Sequence, residues 1–486
     1  MNDKRKIIIE ITAFVLVFVL AFSCCYNVLR IKDIGNGGGI EAYDDIKVPV
    51  DVAIFGASHS VCTVDNSILW KDYGIASYTL WSGSQEVDGT YLFMQDAFKK
   101  NKPKVALVET LDFINYSNPD RTLSLSALTT DYSKDYVNWA IKTASDQGYS
   151  REYLEEMLFR MPIVHSRYKE LAKTDFIQER TYNRGYNGSN ECLPCEPPTI
   201  VDDREDVPEI DMYYINKIIE LCKEYDVELV FFHAPFVLDD ANIFEQKRQN
   251  YLSDYFAENG IPFLDYYRNY ESCGIDFATD LREGNHLNDL GATKVTNALG
   301  QYLVSNYEFA DKAGKAGYED WDTHVRYVED RKITFNLKKI DDLGDYLKSL
   351  SGYTDRFTII VSFNGNYKVI EGYDGIPDFA SMGLGTEYDV GGLAVIRNGK
   401  VDVSTEGSAE YNVYREFDGR VDFVGFKSAD DLFEGYMING NDYTKDCNGF
   451  GITVYDETCH YIVDDVYVDV YEGTEVHHVS EDYVIY

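Results

Sequence analysis

Positive charge is scarce in this chain. Lys and Arg number 45 against 83 Asp and Glu, which leaves a formal net charge of −38. Such a polyanion repels phosphate backbones and anionic headgroups, so nucleic acid is excluded as a partner. The acidic residues are spread through folded-looking sequence rather than collected in a tail, which fits solubility as much as function. Cysteine lacks a framework. Of nine cysteines, only Cys192-Leu193-Pro194-Cys195 has Cys-x-x-Cys spacing, and no second pair or histidine cluster accompanies it. Zinc is therefore not expected, nor is any other metal or cofactor. Outside the cytoplasm a local disulfide is the expectation for that pair. Pairing of Cys447 with Cys459 stays open.

Long apolar runs are also missing, with one exception. Ile7 to Leu29 is interrupted only by Glu10, Thr12, Ser23 and Asn27, and it follows Lys4, Arg5 and Lys6. That length spans a bilayer, and the flanking cations stay cytoplasmic. No small-x-small cleavage site follows, and Ala21-Phe22-Ser23-Cys24 lacks the leucine of a lipoprotein box. Residues 1–30 therefore read as a single-pass signal anchor, with the N-terminus cytoplasmic and the bulk extracytoplasmic. A Gly-rich linker, residues 31–47, contains Gly35-Asn36-Gly37-Gly38-Gly39.

What is present is organised around Asp51-Val52-Ala53-Ile54-Phe55-Gly56-Ala57-Ser58-His59-Ser60. A continuous apolar run that ends on glycine marks a central strand of a parallel sheet. Ser58 then lies just past the carboxyl end of that strand, where open α/β sheets place ligands. Far along the chain, Asp280-Leu281-Arg282-Glu283-Gly284-Asn285-His286-Leu287-Asn288-Asp289 sets a histidine in a polar loop. A helical pattern through Val295, Leu299 and Leu303 follows, with Asn288 or Asp289 placed to cap it. An imidazole with an acid three residues before it has the parts needed to deprotonate a serine.

The blocks "FGASHS" and "EGNHLNDLGATKVT" resemble the SGNH/GDSL hydrolase superfamily, in particular the DltD-like and alginate-acetylation-like branch that acts on cell-surface polymers. The resemblance covers roughly residues 48–305. It implies a flavodoxin-like doubly wound α/β fold, with Ser58 as nucleophile and His286 as base. Glu283 holds the acid position, where the family usually has Asp, and Asp280 is the alternative. The resemblance also implies an oxyanion donor at Gly83, beside Ser82, in Trp81-Ser82-Gly83-Ser84. A simple turn glycine is the competing reading. Where the superfamily often has Gly-x-Asn-Asp, this chain has Glu109-Thr110-Leu111-Asp112. The oxyanion hole is then incomplete or built differently.

Strands alternating with helices over residues 48–308 predict a parallel, doubly wound sheet. Residues 113–208 read as a mainly helical insertion. A helical pattern from Tyr153 to Lys173 contains Pro162, which is expected to kink or break it. His165 and Arg167 in that stretch are candidate substrate contacts, or ties between insertion and core. His233 ends a strand at the face of Ser58 and could line the site. A charged linker is expected at 309–331, then a β-rich α+β domain at 332–486. Its first part, with Met382-Gly383-Leu384-Gly385 and Gly391-Gly392-Leu393-Ala394-Val395-Ile396-Arg397-Asn398-Gly399, resembles an interleukin-like/PANDER domain and implies glycan binding.

These readings converge on a membrane-anchored esterase or O-acyltransferase. It would move a small acyl group, acetyl first among them, on a cell-envelope polysaccharide. The resemblance implies a membrane-bound O-acyltransferase as donor-side partner. A non-catalytic glycan-binding or assembly module on the same fold, and a secreted carboxylesterase or lipase, are the alternatives.

Overall fold

The computed structural model describes residues 3–30, 40–113, 130, 132–171, 175–176, 182–238, 242–364, 379–380, 382–384, 392–408, 410–417, 420–428, 434–469 and 471–479. The chain divides into two compact units, Met1–Val325 and Arg326–Tyr486. Much of the Gly-rich linker lies outside the described residues.

The first unit begins with helix α1 (Asp3–Leu29), the apolar run of the sequence. Among the described residues it is the one helix long and apolar enough to cross a membrane, over Arg5–Leu29. Its 25 residues extend about 37 Å at the helical rise, enough for a hydrocarbon core about 30 Å thick.

Five parallel strands follow: β1 (Val52–Gly56), β2 (Ser77–Trp81), β3 (Val105–Glu109), β4 (Glu228–His233) and β5 (Phe263–Asp265), in the order β2-β1-β3-β4-β5. Every residue of β1, β2 and β3 is buried. Both faces are covered, which is why these strands read as unbroken apolar runs. Helices α2 (Ser58–Thr63) and α3 (Asn66–Tyr73) leave β1, and α4 (Val87–Lys100) leaves β2. The insertion contributes α5 (Lys134–Asp146) and α6 (Arg151–Phe159). Next come α7 (Glu209–Tyr225), α8 (Ile243–Glu258) and α9 (Asp289–Asn306). Alternate residues of β1 serve the two sides of the sheet. Ala53 and Phe55 pack with Phe93 of α4 and Ile215 of α7. Val52 and Ile54 pack with Val295 and Leu299 of α9. This is the expected doubly wound sheet, with its topological switch between β1 and β3.

The turn after β1 depends on Gly56, whose φ is +152°. A Cβ there would stand 2.9 Å from Glu109 Cβ and 3.1 Å from Ser60 Cβ. Glycine alone lets the chain turn from the strand directly into α2.

Two expectations change. The insertion helix breaks at Arg160, not at Pro162. Arg160 takes φ +54° after α6 ends, and a short helix, Met161–Val164, restarts with Pro162 in its first turn. Proline is tolerated there because its missing N–H has no intrahelical acceptor. Arg160 is held by the Thr130 carbonyl at 2.7 Å and by the Tyr136 ring face at 3.7 Å. The expected disulfide is also absent, and all nine cysteines are free thiols. Residues 192–195 run without turn or helix, with Leu193 N donating to Leu281 O and Cys195 N to Phe277 O. The two thiols have separate partners: Cys192 Sγ donates to Ala278 O at 3.6 Å and Cys195 Sγ to Leu193 O at 3.3 Å.

Helix α10 (Glu319–Leu337) occupies part of the charged stretch between the two halves of the chain. Its Trp321 is buried beside Trp70 and Tyr318.

The second unit is built on antiparallel strands. β8 (Thr358–Asn364), β9 (Gly392–Arg397), β10 (Lys400–Ser404), β15 (Gly449–Asp456), β16 (Tyr461–Asp469) and β17 (His477–His478) form one sheet, in the order β10-β9-β8-β15-β16-β17. β11 (Tyr411–Phe417), β12 (Arg420–Lys427), β13 (Glu434–Ile438) and β14 (Asn441–Asp442) form another. Ile360, Leu393 and Val395 of the first meet Phe417, Phe423, Tyr436 and Ile438 of the second in one apolar cluster. The turn between β9 and β10 has Asn398 and Gly399 both at positive φ, +51° and +69°, as a two-residue hairpin requires. Helix α11 (Leu343–Ser351) buries Leu343, Tyr346, Leu347 and Leu350. Tyr436, Tyr455 and Tyr461 are core residues, whereas Tyr414 and Tyr471 face solvent.

Gly56→Ala is expected to destabilise the chain by about 1–3 kcal/mol, from left-handed strain and the clash with Glu109. Thermal unfolding of the purified chain measures it, and an unchanged midpoint would contradict the role given to Gly56.

Candidate active site

Ser58 is the first residue of α2, where the N–H groups of the opening turn have no intrahelical acceptor. The buried end of α2 is fixed from α9. Thr296 Oγ1 donates to Thr63 O at 3.1 Å and accepts from Asp65 N at 2.9 Å. The histidine comes from a small antiparallel pair, β6 (Leu281–Glu283) and β7 (His286–Leu287), in which Glu283 stands opposite His286.

This loop is also held by α9. Asn288 caps the helix, its Oδ1 accepting from Leu290 N and Gly291 N at 3.0 and 3.2 Å. Its Nδ2 donates to Thr279 O at 2.7 Å. Asp280 is fully buried, bonded to Lys294 of α9 at 2.5 Å and accepting from Asp276 N and Thr279 Oγ1. Asp280 is thus a latch for the loop.

The structure brings three of the sequence candidates together. Ser58 Oγ lies 2.8 Å from His286 Nε2, and His286 Nδ1 bonds Glu283 Oε1. With Glu283 ionised, Nδ1 carries the proton and donates, which leaves Nε2 to accept from the serine hydroxyl. Of the two acids weighed from the sequence, Glu283 reaches the imidazole and Asp280 is engaged elsewhere. Half of the Glu283 side chain is exposed. Its carboxyl is held below the usual range first by the His286 hydrogen bond, with help from Arg282.

Burial is the main force lowering the His286 pKa below 6.5. Glu283 opposes it and the Arg282 cation reinforces it. The ring is therefore neutral at pH 7, the state a base needs.

The other candidates fall in different places. Ser82 and Gly83 follow β2, whose last residue, Trp81, is paired in register with Gly56. Ser82 Oγ donates to Gln85 Oε1 at 3.1 Å. His233 ends β4, fully buried, 3.4 Å from Asp265 Oδ1 and stacked on Tyr267 with centroids 5.0 Å apart. His165 and Arg167 bond other parts of the chain. His165 Nδ1 bonds the Pro162 carbonyl at 2.6 Å. Arg167 donates to the Leu29 and Arg30 carbonyls at 2.7 and 2.5 Å, and to Asp175 at 3.0 Å. It ties the insertion to the end of α1.

Three features escaped the sequence reading. His59 stacks on His286 with centroids 4.8 Å apart and meets Phe236 edge-on at 5.5 Å. Burial, then His286 and His233, hold its pKa well below the ordinary value, against a weak opposite pull from the Asn285 backbone. Its place next to Ser58 in the chain was the available signal. Glu109 lies under the Gly56 turn, its pKa pushed up to about 8 by burial and by Asp112. Arg282 reaches back to Cys62 Sγ at 3.3 Å. Nothing local in the sequence predicts the last two, because each contact joins distant segments.

Fold and side chains together define a class: a doubly wound α/β protein with a serine–histidine–carboxylate arrangement at the carboxyl edge of its parallel sheet. No protein-family model and no curated protein matches the chain. Among solved structures it is similar to a Bacteroides fragilis protein described as a candidate acylhydrolase, at 11% identity and a TM-score of 0.29. That likeness covers 55% of this chain and 94% of the other.

A histidine titration followed by NMR tests these electrostatics without any substrate. His286 is expected to titrate below 6.5. Arg282→Gln removes a nearby cation and moves the midpoint up. Glu283→Gln removes the stabilising anion and moves it further down. A midpoint above 6.5 in the parent, or shifts of the opposite sign, would contradict the assignment.

Proposed function

We propose that this chain is a membrane-anchored serine esterase or O-acyltransferase of the SGNH type, acting outside the cytoplasm on a cell-envelope polysaccharide. The observation that carries the reading is the continuous hydrogen-bonded line Ser58 Oγ, His286 Nε2, His286 Nδ1, Glu283 Oε1. The serine oxygen attacks the acyl carbonyl while Nε2 takes its proton, and Glu283 stabilises the imidazolium that forms. Collapse of the tetrahedral intermediate returns that proton to the leaving oxygen and leaves an acyl-serine. Water or a sugar hydroxyl, deprotonated by the same imidazole, then releases the acyl group.

The free N–H of Ser58 and the N–H of Gly83 are assigned to the oxyanion. Gly83 follows a strand in register with β1, so both donors lie on one edge of the sheet. Asp280 acts through position only. The apolar α1 helix supports anchoring, with the cations before it on the cytoplasmic side. A membrane-bound O-acyltransferase is assigned as the donor-side partner.

Treating the full-length chain in detergent with a serine-reactive fluorophosphonate, then measuring intact mass, tests the reading. One adduct is expected on the parent and none on Ser58→Ala. His286→Ala should slow labelling by about 10²–10⁴-fold, the usual worth of a positioned base. A folded parent that takes no adduct would refute a self-sufficient acyl-transfer site and favour the glycan-binding module.

A further inference from the structure

The last two turns of α1 are in contact with the insertion. Phe22 stacks on Phe159, with ring centroids 5.3 Å apart. One turn further, Arg160 Nη1 reaches the Tyr26 hydroxyl at 3.5 Å. At the helix end, Arg167 donates to the Leu29 and Arg30 carbonyls, which a helix terminus leaves without internal donors. Positions 22, 26 and 29 share one face of the helix, so the insertion packs along that face.

The Phe22 contact fixes a depth. Helix α1 is about 7 Å longer than a hydrocarbon core about 30 Å thick. Phe22 comes seven residues before Leu29, about 10 Å at the helical rise. Even with the whole surplus on the outer side, Phe22 stays below the acyl boundary, and Phe159 lies against it. The side chains around Phe159 suit that level. Tyr132, Phe159, Tyr168 and Phe176 are each more than half exposed. The other three all stand beside a residue that reaches α1. The Tyr132 ring faces Arg160 at 5.6 Å, Tyr168 follows Arg167, and Phe176 follows Asp175, which bonds Arg167 at 3.0 Å. Aromatic side chains exposed together mark an interaction surface. Tyrosine is also a characteristic residue of the membrane–water interface.

We propose that the insertion docks on the outer leaflet of the bilayer, with Tyr132, Phe159, Tyr168 and Phe176 entering the headgroup and upper acyl region beside α1. The occupant is lipid because the patch is continuous with a helix that itself lies in lipid. Burial of aromatic surface drives the docking, so anionic lipid is not required, in keeping with the net charge of −38. The inference rests on the anchoring part of the proposed function and goes beyond it. A Gly-rich stretch follows α1 and by composition would let the first unit swing. A second attachment removes that freedom. It runs from α6 to α5 through Tyr136 Oη and the Met157 carbonyl at 2.7 Å. Trp139 and Thr143 of α5 then donate to buried Asp88 of α4 at 3.1 and 3.0 Å. Ser58 is thereby held at one height above the lipid.

Phe159→Trp, Tyr168→Trp and Phe176→Trp are made one at a time in the full-length chain. Each is reconstituted into phosphatidylcholine vesicles, plain or brominated on the acyl chains. The four native tryptophans are buried, so the parent supplies the baseline. Each change is aromatic for aromatic at an exposed position and keeps the fold, which an unchanged thermal midpoint checks. Every added tryptophan should lose emission to the bromines and be shielded from aqueous iodide. Quenching by iodide but not by bromine would overturn the surface, leaving the patch in water and open to a protein partner. Bromine quenching in Phe159→Trp alone would also overturn it, since that reports only the seat against Phe22. A chain that alkaline carbonate strips from the vesicles would refute the anchoring and this surface with it. A chain that stays in the vesicles without bromine quenching would refute this surface alone.

Discussion

Helix α9 sets the distance between Ser58 and His286. Thr296 grips the end of the helix that Ser58 opens, while Asn288 and Lys294 hold the histidine loop through Thr279 and Asp280. The two hydrogen-bonded side chains come from segments 228 residues apart, yet both are referenced to one rigid rod. Gly291 belongs to the same device. A Cβ there would stand 2.4 Å from the Asp280 carbonyl oxygen, so only glycine lets the loop lie against the helix. A hydroxyl and an imidazole at hydrogen-bond distance need this kind of support, because small displacements cost much of the benefit of proximity.

Below the dyad the surroundings are aromatic and largely uncharged. His286, His59, Phe236, His233 and Tyr267 touch ring to ring in that order, with centroid spacings of 4.8, 5.5, 5.8 and 5.0 Å. Glu109 adds a buried carboxyl whose pKa stands near 8. Among the described residues, the imidazolium finds its counter-charge at Glu283, on the open side. The acid is therefore at the rim, where water competes with it. Arg282 is there too, lowering the pKa of both His286 and Glu283. The net charge of the chain says little about the site, since burial and three or four near neighbours decide its protonation.

The second unit uses its aromatic residues differently from what alternation alone suggests. Most of the tyrosines on its central strands are inside, between sheets, and several bond a neighbour through the hydroxyl. Tyr436 Oη pairs with Thr453 Oγ1 at 2.8 Å and Tyr455 Oη with His460 Nδ1 at 3.0 Å, and on helix α11 Tyr346 donates to Asp464 at 3.0 Å. Buried aspartates are matched in the same way. Asp330 and Asp456 meet Arg356 and Arg326, and Asp465 meets Lys445. Charge-paired networks of this kind let an acidic sequence keep a dense core.

The sequence determined the parallel sheet, because strands buried on both faces must be apolar throughout and glycine must end β1. It also marked Ser58 and His286, since a serine after that glycine and a histidine ahead of a capped helix are local patterns. It left the acid undecided between Glu283 and Asp280, three residues apart in one short loop. Only the tertiary structure separates them. The β6–β7 pairing sets Glu283 opposite His286, while Lys294 draws Asp280 inward. It also decided His59, Glu109 and Arg282, whose surroundings come from strands and loops far away in the chain. Periodicity and turn residues are written locally and can be read from the chain. Which charged group faces which ring depends on strand order and helix placement, and that is settled only when the sheet closes.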